Sequence, residues 1–269
     1  MIVVEEMSQL NTYLWNDLAK VALKGVQFVL LGDWAQMDAV LDTWAGMAVK
    51  DGTLEKSDLM HELAGGHRLT LTRNRRSDPP LFDFYVGLKC GTPEARDLRE
   101  ALCEARAMFP VTDKMAEYTL CISHTNRVEI NRVMNKKLKP KGAILYNYRG
   151  DDDKQQSIYI WQGMQLIGSG GKCKKCVLHY VDEVTDDNLL VHYKVNNEEG
   201  VETQVPVKLT QAAALKCLRP AWALTFASVQ GLTLRGRVRL LDTDHSHFVL
   251  KHLYVGSSRA TAASLLEVC

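Results

Sequence analysis

Three features are scarce in this 269-residue sequence, and each absence excludes a class of protein. No apolar run approaches the ~18 residues of a membrane-spanning helix and no signal peptide is visible, so we expect a soluble intracellular protein, nuclear or cytoplasmic, without a membrane partner. The 33 basic residues nearly balance the 32 acidic ones, so any strongly charged surface must be local. The seven scattered cysteines exclude a disulfide framework and suit a reducing compartment.

Strand and helix patterns alternate along much of the chain. Ile2–Val4 and Val26–Leu31 have the composition of buried strands, and the apolar spacing between them predicts a helix over Ser8–Val21 that Ser8 caps. Strand, helix and strand within about 30 residues form a βαβ unit of a parallel sheet. The alternation continues with a short strand at Leu69–Leu71, helices within Leu81–Leu102, a strand at Tyr118–Ile122, a helix at Arg127–Leu138, and strands at Arg237–Leu241 and Ser264–Val268.

A different pattern separates two of these α/β segments. Short β-type runs alternate there with clusters of Gly, Asp and Asn, which predicts a small antiparallel barrel inserted into the α/β domain. The runs are Ser157–Ile160, Met164–Ile167, Val177–Val181, Leu189–Lys194 and Thr203–Val207.

Polar side chains follow the first two predicted strands. Glu5 and Glu6 come directly after the first strand, and Gly32, Asp33 and Gln36 follow the second. Ligands bind at the carboxyl ends of strands in open α/β sheets. One carboxylate there can hold Mg²⁺ and the next can orient or deprotonate a water that attacks a γ-phosphate, while an amide can sense that phosphate. For the glutamate pair alone, a solvated strand end is the alternative.

Two arginines lie beside further strand-like runs. Arg76 belongs to LTLTRNRRSDP, and Arg259 follows a strand-like Leu253–Val255 in LYVGSSRATAASLLEV. Guanidinium groups suit the negative charge that develops in phosphoryl transfer. An alternative role for Arg76 is to cap the helix that begins near Leu81.

The order of these motifs resembles that of superfamily 1 DNA helicases, in particular the RecD-like branch, which moves 5′ to 3′ along single strands. The matching segments are VVEEMSQ, GDWAQMDAV, NRRS, CISHTNRVEINRVMN, TFASVQGLT and LYVGSSRA. The resemblance implies an α/β fold with RecA-like parallel sheets and an SH3-like antiparallel barrel insert. It places part of the first RecA-like domain at 1–68, the complete second domain at 69–154 and 208–269, and the insert at 155–207.

The resemblance also implies roles for individual residues, with ATP and Mg²⁺ as cofactors and single-stranded DNA as partner. The implied catalytic residues are Glu6, which polarises the attacking water, the γ-phosphate sensor Gln36, and the arginine fingers Arg76 and Arg259. The implied ATP- and Mg²⁺-binding residues are Glu5, which stands where the family has an aspartate, and Gln230 and Gly231. The candidate nucleic-acid contacts are Asn126, Ser228 and Thr233, to which the residues themselves add a basic patch at Lys174 and Lys175, with a solvated turn as its alternative.

The sequence departs from the family in three places. Glu5 is one methylene longer than aspartate, Ala227-Ser228-Val229 replaces His-Lys-Ser, and the phosphate loop G-x-x-x-x-G-K-(S/T) is absent. The glycine-rich Gly168–Cys173 has cysteine at the Ser/Thr position and is predicted to be a hairpin turn. The family's phosphate loop lies upstream of the carboxylate strand, so we expect a missing N-terminal half that carries it.

We therefore expect the motor-core portion of an ATP-dependent DNA helicase of DNA replication or repair, inactive without that half. The alternatives are a non-catalytic helicase relic that binds single-stranded nucleic acid, and a viral RNA helicase, RNA being the less favoured partner.

Overall fold

Strands and helices alternate along most of the chain in the computed structural model, which describes residues 1–39, 42–50, 52–150, 155–196 and 201–269. The strands are β1 Ile2–Val4, β2 Phe28–Leu30, β3 Thr43–Trp44, β4 Met47–Ala48, β5 Tyr118–Cys121, β6 Ile144–Tyr146, β7 Ile158–Ile160, β8 Gln165–Gly168, β9 Leu178–Val184, β10 Asn188–Asn196, β11 Glu202–Thr210, β12 Leu218–Pro220, β13 Ala223–Thr225, β14 Val238–Leu240 and β15 Leu266–Val268. The α-helices are α1 Thr12–Ala22, α2 Asp58–Leu63, α3 Pro79–Gly87, α4 Leu98–Met108, α5 His124–Leu138, α6 Gln211–Cys217 and α7 Leu250–Ser257. Within the described ranges, none of these helices could cross a membrane.

The N-terminal segment forms the predicted βαβ unit. Strands β1 and β2 pair in parallel, with Val3 beside Val29, and α1 connects them. The cap of α1 is Asn11 and not Ser8, because the Asn11 side chain accepts a hydrogen bond from the amide of Leu14 at 2.9 Å. Ser8 instead lies in a short 3₁₀ helix and donates to the carbonyl of Met37. The 3₁₀ turn therefore directs the chain after β1 toward the end of β2.

A four-stranded parallel sheet forms the centre of the larger α/β region, with the strand order β13-β5-β14-β15. Its register places Leu224, Leu120, Leu240 and Val268 side by side, and all four side chains are buried. On α5, Asn131 covers the free edge of β13 and exchanges two 2.9 Å hydrogen bonds with the backbone of Ala223. The predicted parallel α/β architecture is confirmed.

An antiparallel region lies between the α/β segments, as predicted. It contains a five-stranded sheet with the order β11-β10-β9-β8-β12, beside the antiparallel pair β6 and β7. Its own apolar core includes Tyr146 and Leu218, which flank the segment 155–207 on both sides. The glycine-rich stretch after β8 forms a turn that leads to β9, as expected. The domain boundaries and the SH3-like closure stay predictions.

Two sequence predictions about strands are wrong. Leu69–Leu71 forms no strand, and the side chains of both leucines are almost fully exposed, because no described strand pairs with them. Leu253–Val255 belongs to helix α7, so Arg259 follows a helix and not a strand. The apolar positions 250, 253 and 254 have the spacing of one helix face, which outweighs the strand propensity of a three-residue run.

Candidate active site

The carboxylate pair lies at the end of β1, as the sequence predicts. Glu5 is exposed, whereas Glu6 is partly buried and has a left-handed backbone with φ of 52°. A non-glycine residue rarely adopts this conformation, and such positions cluster at functional sites. The strained backbone turns the chain into the 3₁₀ helix, where the amide group of Gln9 approaches the Glu6 carboxylate at 3.5 Å.

Gly32 allows the ends of β1 and β2 to meet. A Cβ atom on Gly32 would lie 2.6 Å from the Met7 side chain and 2.8 Å from the Met7 backbone nitrogen, so a larger residue would push the strand ends apart. The amide of Met7 also donates to the carbonyl of Leu31 at 3.0 Å. The close approach holds the start of the loop that follows β2 against the residue after Glu6.

Asp33 organises this loop, and Gln36 keeps an unused acceptor. One Asp33 oxygen accepts from the backbone of Ala35 at 2.9 Å, and the other lies 3.4 Å from Nε2 of Gln36. The carbonyl oxygen of the Gln36 side chain is buried and accepts no hydrogen bond from any residue that the structure describes. A buried acceptor without a donor is costly, so this atom suits a bound water or another donor.

The Gln230-Gly231 loop lies opposite the two strand ends. Gly231 has φ of 76°, and a Cβ atom there would lie 3.2 Å from the Glu6 carboxylate. Gln230 is buried, and its side chain donates to the carbonyl of Met37 at 3.4 Å. Residues more than two hundred positions apart in the chain therefore face one another across a single cleft.

Both predicted arginines reach the same cleft, but they differ in exposure. Arg76 is exposed, and its guanidinium donates to the carbonyl of Ser258 at 3.2 Å. Arg259 is 1% exposed and donates to the Val229, Leu232 and Val255 carbonyls and to the Ser258 hydroxyl over 2.8 to 3.4 Å. In this conformation Arg76 is free to contact a ligand, whereas Arg259 braces the cleft wall.

Arg259 keeps its positive charge although it is buried. Burial lowers the pKa of Arg259 to about 10, and the like charge of Arg76 acts in the same direction. The negative charge of Glu6 and the neighbouring Tyr254 and Asp33 oppose the shift. The guanidinium is therefore protonated at neutral pH, and a positive charge lies near the carboxylate in a poorly solvated place.

Helix α7 holds the loop that carries Gln36, which the sequence analysis did not foresee. The Tyr254 hydroxyl donates to Asp33 at 2.7 Å. Lys251, which lies one helical turn before Tyr254 on α7, forms an ion pair with Asp38. Burial and the negative charge of Asp33 raise the pKa of the Tyr254 hydroxyl, so it stays a donor. The Tyr254 ring also packs edge-on against Tyr85 at 5.6 Å. Tyr254 stands within the motif LYVGSSRA, and that position is the only sequence signal for its role.

Replacing Tyr254 by phenylalanine is expected to loosen the loop and leave the fold intact. The ring contact with Tyr85 remains, while one hydrogen bond to a carboxylate, of about 1.5–3 kcal/mol, is lost. Hydrogen exchange of the amides at residues 35–37 should accelerate by up to about a hundredfold. Tyr13→Phe provides the matched control, because Tyr13 is exposed against Trp44. Unchanged exchange in Tyr254→Phe would show that the hydroxyl does not hold the loop.

The predicted nucleic-acid contacts lie outside this cluster, and two of them form hydrogen bonds with other residues of the protein. Asn126 donates to Asp242 at 2.7 Å, and the Ser228 hydroxyl exchanges hydrogen bonds with the backbone of Thr225. Thr233 is exposed just beyond Gly231. The remaining pair, Lys174 and Lys175, is exposed on the turn between β8 and β9 in the antiparallel region.

Two carboxylates at the end of β1 would supply the protein's share of a Mg²⁺ site that a bound nucleotide completes. Glu5 and Glu6 offer carboxylate oxygens, the ligands that Mg²⁺ prefers. The part of the chain that the structure describes holds no cluster of three or more His, Cys, Asp or Glu that could enclose a metal ion. Magnesium commonly combines one or two carboxylates with substrate phosphates and waters, and this donor set suits that arrangement.

Parallel sheets whose strand ends and loops meet in this way define an open α/β fold, and solved helicase structures carry the same fold. The Pif1 helicase from Candida albicans matches with a TM-score of 0.64 at 16% identity, covering 99% of this chain and 70% of that one. The Pif1 helicase from Bacteroides in complex with ADP-AlF3 and ssDNA matches with a TM-score of 0.64 at 14% identity, covering 100% and 70%. Bacteroides sp Pif1 in complex with ADP-AlF4 matches with a TM-score of 0.55 at 15% identity, covering 99% and 69%.

No family model and no curated protein matches the sequence. The likeness to the Pif1 structures therefore rests on the backbone, and it confirms the predicted helicase-like fold.

Proposed function

We propose that the chain is the motor-core portion of an ATP-dependent DNA helicase that couples ATP hydrolysis to movement along single-stranded DNA. The observation that carries the proposal is that four separate segments meet at one place: Gly231 lies against Glu6, Gln230 bonds to Met37 beside Gln36, and Arg76 bonds to Ser258 next to Arg259. The Bacteroides neighbour holds ADP-AlF3 and single-stranded DNA on the same fold, which supports both ligands. The motif wording favours the RecD-like branch and movement from 5′ to 3′.

Each residue of the cleft has a distinct task in this proposal. Glu6 accepts a proton from the attacking water, and the Gln36 oxygen, which is closed to solvent in this conformation, orients that water once movement of its loop exposes it. Arg76 reaches the γ-phosphate, and the fixed charge of Arg259 stabilises the negative charge that develops there. Glu5 contributes an oxygen to Mg²⁺, which supplies charge neutralisation when it is bound with the nucleotide.

In this proposal the phosphate loop is supplied from outside these 269 residues, whose sequence contains no such motif. The test is a fusion of this chain with a phosphate-loop segment, taken from the gene that encodes the chain or from one of the Pif1 neighbours. We expect no ATP turnover by the chain alone and turnover stimulated by single-stranded DNA in the fusion. Turnover by the chain alone would show that the phosphate site lies within it. That result would overturn the proposal that the phosphate loop is supplied from elsewhere.

Charge reversal at Lys174 and Lys175 is expected to weaken strand binding. Both lysines are exposed, so Lys174→Glu with Lys175→Glu leaves the fold intact, removes up to two phosphate contacts and lowers the salt dependence of binding by about 0.7 per contact. Fluorescence anisotropy of a labelled single strand at several salt concentrations measures both effects. The control carries the same charge change at the exposed Lys24 and Lys208. Equal binding by both variants would show that Lys174 and Lys175 are ordinary solvated surface residues.

A non-catalytic module that binds single-stranded nucleic acid is the second candidate. Two observations favour it: Glu5 replaces the family aspartate, and Arg259 directs its donors to protein acceptors. A fusion that binds DNA and ATP without hydrolysis would support this candidate. Tighter binding of single-stranded RNA than of DNA would instead favour an RNA helicase.

A further inference from the structure

A cavity lies between the antiparallel region and the parallel sheet. Its volume is about 270 Å³, and its lining includes Met115, Glu117, Tyr118, Leu138, Trp161 and Trp222. Tyr118 begins β5, and Trp222 directly precedes β13. Since these strands are parallel, the cavity is at the edge where they start, whereas the chain reaches Gly231 beyond the far end of β13. The cavity is therefore separate from the candidate active site.

Two tryptophans form one wall of this cavity. The rings of Trp161 and Trp222 stack with centroids 5.9 Å apart and an angle of 29° between their planes, and both side chains are only partly buried. Tyr159 precedes Trp161 by two residues, so the two side chains share one face of the extended chain. The ammonium group of Lys139 lies 3.8 Å from the centre of the Tyr159 ring. An aromatic strip with a cation at one end thus leads into the cavity.

Positive charge is concentrated beside the same cavity. The end of α5 and the residues that follow it carry four exposed lysines around the cavity-lining Leu138, namely Lys136, Lys137, Lys139 and Lys141. Within the described ranges none of the four forms an ion pair. The helix dipole accounts for lysines in the last turn of α5, but not for Lys139 and Lys141 beyond it. The formal charge of the whole chain is only +1, so these four lysines are a local concentration of positive charge.

One acidic residue belongs to the lining but does not cancel this charge. The Glu117 carboxylate accepts a 2.6 Å hydrogen bond from the backbone of Arg237, so one of its oxygens is already occupied. Glu117 directly precedes β5, while the lysines lie in the last turn of α5 and just beyond it. A ligand with an aromatic part and a separate anionic part matches this arrangement.

We infer that the cavity binds an unstacked base of single-stranded nucleic acid on Trp161 and Trp222, with adjacent phosphates at the α5 lysines. Base stacking on aromatic side chains combined with a positively charged path is the usual means of binding single strands without sequence preference. The inference rests on the proposed function, because its ligand is the same single strand. The site would hold the strand at a second point, on the opposite edge of the sheet.

Photocrosslinking locates the strand directly. A twelve-nucleotide oligodeoxynucleotide that contains 5-iododeoxyuridine is irradiated with the full chain, and mass spectrometry identifies the modified peptide. We expect crosslinks on the peptides that contain Trp161 or Trp222. Crosslinks confined to residues 123–126 or 225–233 would overturn this site and leave the proposed function standing. Absence of any binding would contradict both.

Two variants separate the charged part of the site from the stacking part. Lys137→Glu with Lys141→Glu is expected to weaken binding about tenfold and to lower the salt dependence, since phosphate contacts are lost. Lys139 is kept because it packs over Tyr159. Trp161→Leu is expected to weaken binding about tenfold at an unchanged salt dependence, because only stacking is lost.

Lys24→Glu with Lys208→Glu is the control for charge and should bind like the unmodified chain. If Trp161→Leu fails to fold, the lysine variant and the crosslinks still decide. Binding by the lysine variant that equals the control would overturn the inference.

Discussion

Glu6→Gln is expected to lower ATP hydrolysis by at least about a hundredfold in the fusion that supplies a phosphate loop, while ATP binding is retained. The glutamine has the same shape but cannot take a proton from the attacking water. Glu6 is the carboxylate that faces Gly231. Asp33 also influences the pKa of Arg259, but its oxygens accept hydrogen bonds from Ala35 and Tyr254. Steady-state hydrolysis with saturating single-stranded DNA and equilibrium binding of a fluorescent ATP analogue measure the two quantities.

Two further substitutions show whether the loss is specific to Glu6. Glu62→Gln changes an exposed glutamate of α2 and should leave hydrolysis unchanged. Glu5→Gln should raise the Mg²⁺ concentration needed for half-maximal activity more than it lowers the maximal rate, because Glu5 is proposed to act through the metal. Hydrolysis retained in Glu6→Gln would remove Glu6 from the catalytic role and with it the main argument for this cleft.

The positions at strand ends were accessible from the sequence because they depend on local patterns. A run of aliphatic residues followed by Glu5 and Glu6, or by Gly32 and Asp33, marks both a strand and its carboxyl end. The parallel pairing of β1 with β2 then brings both ends to one edge. The resemblance to helicases added Gly231 and Arg76, which local patterns alone could not have placed in the cleft.

Contacts between distant segments were not accessible, since they leave no local signal. The hydrogen bond from Tyr254 to Asp33 joins residues 221 positions apart. The exposure of Leu69–Leu71 and the helical state of Leu253–Val255 have the same origin, because tertiary packing decides whether a short apolar run finds a partner strand. Burial of Arg259 is likewise a tertiary effect. The motif suggests an arginine finger, whereas the buried guanidinium bonds to acceptors of the protein itself.

Glu267→Ala is expected to lower the free energy of unfolding by about 2–4 kcal/mol, among the largest effects in the molecule. Glu267 in β15 is fully buried and is paired with Arg237 at 3.1 Å and Arg239 at 2.7 Å. It also accepts hydrogen bonds from the hydroxyl and backbone of Thr112. Its removal leaves two guanidinium groups without their shared carboxylate, although partial solvent access of both arginines limits the cost. Urea denaturation measures the loss.

An exposed ion pair provides the control for this substitution. Glu129→Ala breaks the pair with Arg132 on α5, where both side chains are about half exposed and screened by solvent, and should change stability far less than Glu267→Ala does. An equal cost in both variants would mean that the network around Glu267 adds nothing beyond a surface pair.

The same carboxylate predicts how stability depends on pH. Burial alone would raise the pKa of Glu267, but the hydrogen bonds from Thr112 and Arg239 and the charge of Arg239 outweigh it, so the pKa is lowered in the folded chain. The unfolded chain therefore takes up the proton first, and this share of stability is complete above about pH 4.3 and is lost as the pH falls below it. The difference in unfolding free energy between the native chain and Glu267→Ala should accordingly shrink from pH 7 toward pH 3. A difference that stays constant over this range would show that the carboxylate stabilises the sheet by packing and not by its charge.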